Sequence, residues 1–197
     1  MKKIILSTAL AAVLGMSALA PQAASASDGN LFFNGKITDT TCQVTGGTGT
    51  DGATKDITVT LDTVSTSALP AGAHAGDKPF DLLIGGGSSV NCGNGTKVSL
   101  HFDGASTPTG FASSMVDQTT GNLKNSTGTG FATNVEIGLL DVNSNPINLW
   151  TSTGSPQATV DSTGSATLHY VARYVATGGA STAGNVKTAV MYSVVYN

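Results

Sequence analysis

Charge is scarce in this chain. Of its 197 residues only 11% are Asp, Glu, Lys or Arg, where a globular protein usually carries about 25%. Aromatic residues are 6%, with one tryptophan, and there are two cysteines and three histidines. Each shortage excludes something. With twelve acids against nine bases, there is no basic patch of the kind that nucleic-acid binding needs. With two cysteines and no CxxC, a zinc knuckle has no ligand set. His74, His101 and His169 stand far apart, without partners at metal or triad spacing. Two of them sit in strand-like runs, where an outward or core histidine is the ordinary case. Asp51, Asp56, Asp62 and Asp77 are scattered loop acids without the D-x-D-x-D-G order of a calcium loop. Gly85-Gly86-Gly87 has no following lysine or helix, so it reads as a turn or bulge and not as a phosphate cradle. No metal, no cofactor and no catalytic constellation is expected.

Long apolar runs are missing too, apart from one near the start. Lys2 and Lys3 precede an apolar stretch from Ile4 to Leu14, and Ala24-Ser25-Ala26 fits an A-x-A cleavage site. A cut after Ala20 also fits, but it leaves Pro21 first. The stretch is too short to span a membrane. Residues 1–26 therefore read as an export signal, leaving 171 of the 197 residues. Losing two lysines and no acid takes the formal charge from −3 to −5. That length suits one domain with a core of its own.

In an exported chain an even pair of cysteines, Cys42 and Cys92, reads as a disulfide. It closes a loop of 51 residues, which in the chain-entropy model is worth about 4 kcal/mol. The rival reading is a reactive or metal-binding thiol. Asn125-Ser126-Thr127 matches a glycosylation sequon, and Trp150 offers either a sugar platform or a core side chain.

What the chain does have is glycine, serine and threonine between short alternating runs. Leu31, Phe33, Gly35 and Ile37 fall on one face of an extended segment, with Phe32, Asn34, Lys36 and Thr38 on the other. Further period-two rows are Ile57/Val59/Leu61, Phe80/Leu82/Ile84, Val98/Leu100/Phe102, Val135/Ile137/Leu139 and residues 167–175. The last is Val190, Tyr192, Val194 and Tyr196. Residues 46–55, 65–77 and 103–133 read as loops, the last pinned by Phe111, Met115, Val116 and Phe131. Asn143 to Pro146 is a turn, with residues 147–150 returning. No convincing helix follows residue 26. Many short strands with turn signals between them predict an all-β sandwich.

Four of these features together resemble the major-subunit pilins of bacterial chaperone–usher fimbriae, type 1 fimbriae in particular. They are GNLFFNG (residues 29–35) running on to Cys42-Gln43-Val44, the Cys42/Cys92 pair, ARYVATG (residues 172–178), and an alternating C-terminus with Tyr196 next to last. The loop between the cysteines is longer than the family's, through residues 46–55. The resemblance implies an incomplete immunoglobulin-like sandwich, missing one strand, over residues 38–197. Residues 27–37 would be a donor strand for a neighbouring subunit, with Leu31, Phe33, Gly35 and Ile37 on its working face. Val190, Tyr192, Val194 and Tyr196 would line the acceptor groove and the edge that a periplasmic chaperone recognises. The implied partners are identical or related subunits, that chaperone, and an outer-membrane usher. The implied place is a surface fimbria and the role its shaft, supporting adhesion.

Other readings of the same residues stay open. Residues 31–37 can pair within their own chain and close the sandwich. The protein can be a minor adaptor subunit or a secreted carbohydrate-binding domain.

Overall fold

A computed structural model describes residues 31–32, 42–86 and 92–197. The expected signal (1–26) and most of the expected donor stretch, including Phe33, Gly35 and Ile37, lie outside the described residues. So do residues 87–91. By its internal contacts the chain parts into two units, Met1–Ile37 and Thr38–Asn197.

The second unit is all-β apart from one turn of 3-10 helix at Thr66–Ala68, capped by the Ser65 hydroxyl. The strands are β1 (Val44–Gly46), β2 (His74–Gly85), β3 (Lys97–Asp103), β4 (Leu123–Lys124), β5 (Val135–Leu140), β6 (Pro146–Ile147), β7 (Gln157–Thr159), β8 (Ser165–Ala176) and β9 (Met191–Tyr196). The larger sheet runs β1-β2-β8-β5-β4, with β6 also on β5, and the smaller runs β7-β3-β9. Every ladder is antiparallel.

Register follows the alternation. Phe80 faces Tyr170, Leu82 faces Leu168 and Ile84 faces Ala166 across β2 and β8. On β5, Ile137 faces Tyr174 and Leu139 faces Ala172. This inward row meets Val98, Leu100 and Phe102 of β3 in one core. Tyr170 stacks on Phe80 at 5.4 Å and meets Phe102 edge-on at 6.2 Å, so one ring joins the two sheets. A disulfide joins Cys42 to Cys92, Cα to Cα 5.3 Å, and both cysteines belong to the core.

Four local expectations need correcting. β2 begins at His74, inside the stretch read as a loop. A register shift between Ala75 and Lys78 hides the alternation there. Gly76 makes the kink: its φ is 72°, and a Cβ would lie 2.9 Å from the Tyr174 ring. Next, of the expected return 147–150 only Ile147 pairs with β5, together with Pro146 from the expected turn, because Asn148 N–H turns to the Thr153 carbonyl. The long polar stretch 103–133 contains β4 and buries Met115 and Val116, while Phe111 and Phe131 are half-buried. Last, Ile57, Val59 and Leu61 do not form a ladder. Half-buried and exposed residues alternate along them, yet no strand pairs with them among the described residues.

Candidate functional site

β9 is an edge. It pairs with β3 over six residues, from Val98 opposite Tyr196 to Asp103 opposite Met191, and with nothing on its other side among the described residues. The sequence pattern set its faces correctly: Tyr192, Val194 and Tyr196 turn inward, while Met191, Ser193 and Val195 are exposed. The inward row is nevertheless only half-buried. Its partners on β3 show what full cover looks like, with Val98 at 0% and Leu100 at 1% exposed. Val190, just before β9, is half-buried as well and packs on the same core.

A second half-covered row lies on another segment. Ile57, Val59 and Leu61 also pack against the common core without being enclosed. Side chains of β9 are bonded to the chain that precedes this row. The Tyr192 hydroxyl donates to the Lys55 carbonyl at 2.7 Å, and the Cys42 N–H donates to the Tyr196 hydroxyl at 2.8 Å. Burial, and then the negative charge of Asp56, push the Tyr192 phenol above its ordinary pKa, so it remains a donor through neutral pH. Lys55 has φ 71°, a left-handed backbone in a residue with a side chain. Upstream of β9 a cavity of about 470 Å³ opens, lined in part by Val64, Leu69, Val135, Tyr174 and Val186.

Two half-covered apolar rows thus pack on one core, and β9 has no ladder on its outer side among the described residues. Open strand edges of this kind recruit further strands. Sequence reasoning named the β9 row but not Ile57, Val59 and Leu61 as its counterpart. Their alternation was the signal, and among the described residues they have no ladder. Of the expected donor face, Leu31 alone is among the described residues. It is 86% exposed, and the adjacent Phe32 is 84% exposed.

Elsewhere the side chains are structural. His169 Nδ1 lies 2.6 Å from Asp81 across the β2–β8 ladder, on the exposed face. His101 Nδ1 is 3.1 Å from the Ser152 hydroxyl, and His74 is exposed. Trp150 is half-buried against the core. Asn125, the sequon residue, is buried: its amide donates to the Ala132 and Asn185 carbonyls, and its oxygen accepts from Lys187 N–H. It is a three-way knot between loops, and its amide nitrogen already has both donors engaged. Gly85 holds φ 77° where a Cβ would lie 2.3 Å from the Gly164 carbonyl and 2.7 Å from the Cys92 sulfur, so it is a close-packed turn beside the disulfide. Among the described residues no group of three or more His, Cys, Asp or Glu is placed to hold a metal ion. No helix among them is long and apolar enough to cross a membrane.

Residues 31–197 match the family model described as Fimbrial protein. The chain belongs to that family. This fimbrial protein is 39% identical over 189 residues to the major fimbrial subunit SMF-1 of Stenotrophomonas maltophilia, covering 92% of this chain and all of the relative. It is 34% identical to the F17 fimbrial protein of Escherichia coli, covering 93% of this chain and 96% of the relative. In fold it resembles the P pilus rod subunit PapA, with a TM-score of 0.50 at 21% identity, over 73% of this chain and 94% of that one. As a fimbrial protein it is a structural component of surface fibres, exported through the periplasm. The family is one of structural subunits and not of enzymes.

Proposed function

We propose that this fimbrial protein builds the shaft of a chaperone–usher fimbria by donor-strand exchange. Residues 27–37 of one copy lie between β9 and residues 57–61 of the next. The single observation that carries this reading is that β9 has a ladder on one side only among the described residues, while two half-covered apolar rows, its own and that of Ile57, Val59 and Leu61, pack on the same core. The donor has the matching pattern. Burying Leu31, Phe33 and Ile37 contributes about 1.5–3 kcal/mol each, and the ladder adds register. Gly35 meets the point where the seat is too shallow for a side chain. Every ladder in this domain is antiparallel, so the donor runs antiparallel to β9. Its last apolar residue, Ile37, then falls at the end with the cavity beside Val64 and Val186.

Before assembly a periplasmic chaperone covers the same edge, with Val190, Tyr192, Val194 and Tyr196 in its contact. The outer-membrane usher is where the next donor replaces it. Residues 1–26 are removed on export. The contact joins two different surfaces and does not close on itself, so its product is an open fibre.

The test compares the full chain with one lacking residues 27–37, each co-expressed with chaperone and usher. The full chain gives SDS-resistant polymers and fibres, and the truncated one stops as a chaperone-bound monomer. Stable, chaperone-free monomers from both would overturn the reading.

A further inference from the structure

In a sheet adjacent strands lie about 4.8 Å apart, so the seat of one missing strand separates its neighbours by about 9.6 Å. No backbone hydrogen bond crosses that distance. A tyrosine side chain ending in a hydrogen bond is long enough to do so. Tyr192 and Tyr196 are the two inward tyrosines of β9, four residues apart on one face. Each ends in a hydrogen bond on the segment that leads to the opposite flank, Lys55 for one and Cys42 for the other. Between those two anchor points run β1 and residues 47–54, and Ile57, Val59 and Leu61 follow directly after Lys55. We propose that the phenol hydroxyls of Tyr192 and Tyr196 are struts, which hold the acceptor seat at the width of one strand before a donor arrives.

Three observations support this role. First, both anchors are backbone atoms, so the bonds position main chain and not a swinging side chain. Second, both anchors are fixed from another side. Cys42 is disulfide-bonded to Cys92, and Lys55 N–H donates to the Val44 carbonyl at 3.1 Å. Third, Lys55 keeps a left-handed backbone, φ 71°. A residue with a side chain holds that conformation only where its surroundings fix it. The Tyr192 bond is one of those constraints, and it acts where the chain turns to enter the flank. A hydrophobic floor alone would need only the rings; the hydroxyls are what reach across.

Such struts act before insertion. An acceptor held at the right width spends no ordering cost when the donor enters, which is preorganisation. The role deepens the donor-strand reading and rests on it, so the experiment separates the two. The chaperone complex of the full chain, and of Tyr192→Phe and Tyr196→Phe, is mixed with a synthetic peptide of residues 27–37. The rate of forming the SDS-resistant peptide complex is measured. Phenylalanine keeps the ring and removes only the hydroxyl.

Each variant is expected to take up the peptide about fivefold more slowly, the effect of losing one net hydrogen bond. The thermal midpoint of the filled complex changes little, because the donor ladder now fixes the width. Amide exchange at Cys42 in the chaperone complex speeds up in Tyr196→Phe. Uptake at the wild-type rate with unchanged Cys42 protection overturns the struts while leaving donor-strand exchange in place. A filled complex destabilised as much as uptake is slowed also overturns them, since the hydroxyls would then be general stabilisers. No uptake by the wild-type chain overturns the donor-strand reading and the strut role with it.

Discussion

β8 and β9 have the same kind of sequence and different fates. Both alternate apolar and polar residues, and both turn their apolar row toward one core. β8 lies between β2 and β5, and Ala166, Leu168, Tyr170 and Ala172 are buried to 6% exposure or less. β9 has a neighbour on one side only among the described residues, and Tyr192, Val194 and Tyr196 stay half-covered. Alternation therefore reports which face of a strand is apolar. It does not report how many neighbours the strand has. In β8 the number is two within one chain, and in β9 the proposed second neighbour comes from another.

That contrast is open to attack at several strengths. The strongest is to obstruct the seat from the donor side. Gly35→Leu puts a side chain at the shallow point, and the expected result is loss of fibres with an intact domain. Electron microscopy of the surface and circular dichroism of the chaperone-bound subunit check the two halves; normal fibre yield would mean the seat has room there. Next in size is the disulfide. Replacing Cys42 and Cys92 by serine unties the open flank from the entrance to β3 and costs about 4 kcal/mol. The yield of chaperone-bound subunit and its denaturation midpoint read this directly, and an unchanged midpoint would contradict it.

The finest test compares one substitution on the two sides. Leu168→Ala, in the closed region, is expected to destabilise the subunit by about 2–5 kcal/mol whether or not the seat is filled. Leu61→Ala costs about 1 kcal/mol in the unfilled subunit, where Leu61 is only partly covered. Its cost rises toward the Leu168 value once a donor strand covers it. Denaturant midpoints with and without bound donor peptide give the four numbers. If Leu61→Ala costs the same in both states, the seat does not lie beside Leu61.

Much of the fold was legible in the sequence because the rows of the core are so regular. Phe80/Leu82/Ile84, Val98/Leu100/Phe102 and residues 167–175 have the faces that alternation assigns. The cysteine pair is bonded as an exported even pair should be. The edge of β2 was hidden, since the Ala75–Lys78 shift breaks the period and Gly76 resembles a loop residue. Asn125 was misleading in the opposite way: a sequon is a three-letter pattern, whereas its amide is committed to three backbone partners. The left-handed Lys55 and the reach of two tyrosine hydroxyls had no sequence signal at all. Hydrogen bonds between residues 137 and 154 positions apart exist only after the chain has folded.

The Asn125 knot has a consequence for the outside of the fibre. Residues 127–130 are exposed, and beyond Gly128 there is open space for a Cβ. On one side they hang from Asn125 and from Ser126, whose N–H and hydroxyl both donate to the Lys187 carbonyl. On the other they return at Ala132, which the same asparagine holds. The Gly130 carbonyl also accepts from Asn185 N–H at 2.8 Å, so both ends of the bight are tied and only its tip, residues 127–129, can be lengthened without disturbing the buried amide. Because every subunit repeats the bight, a few added residues become a regular texture along the whole filament, displayed once per subunit.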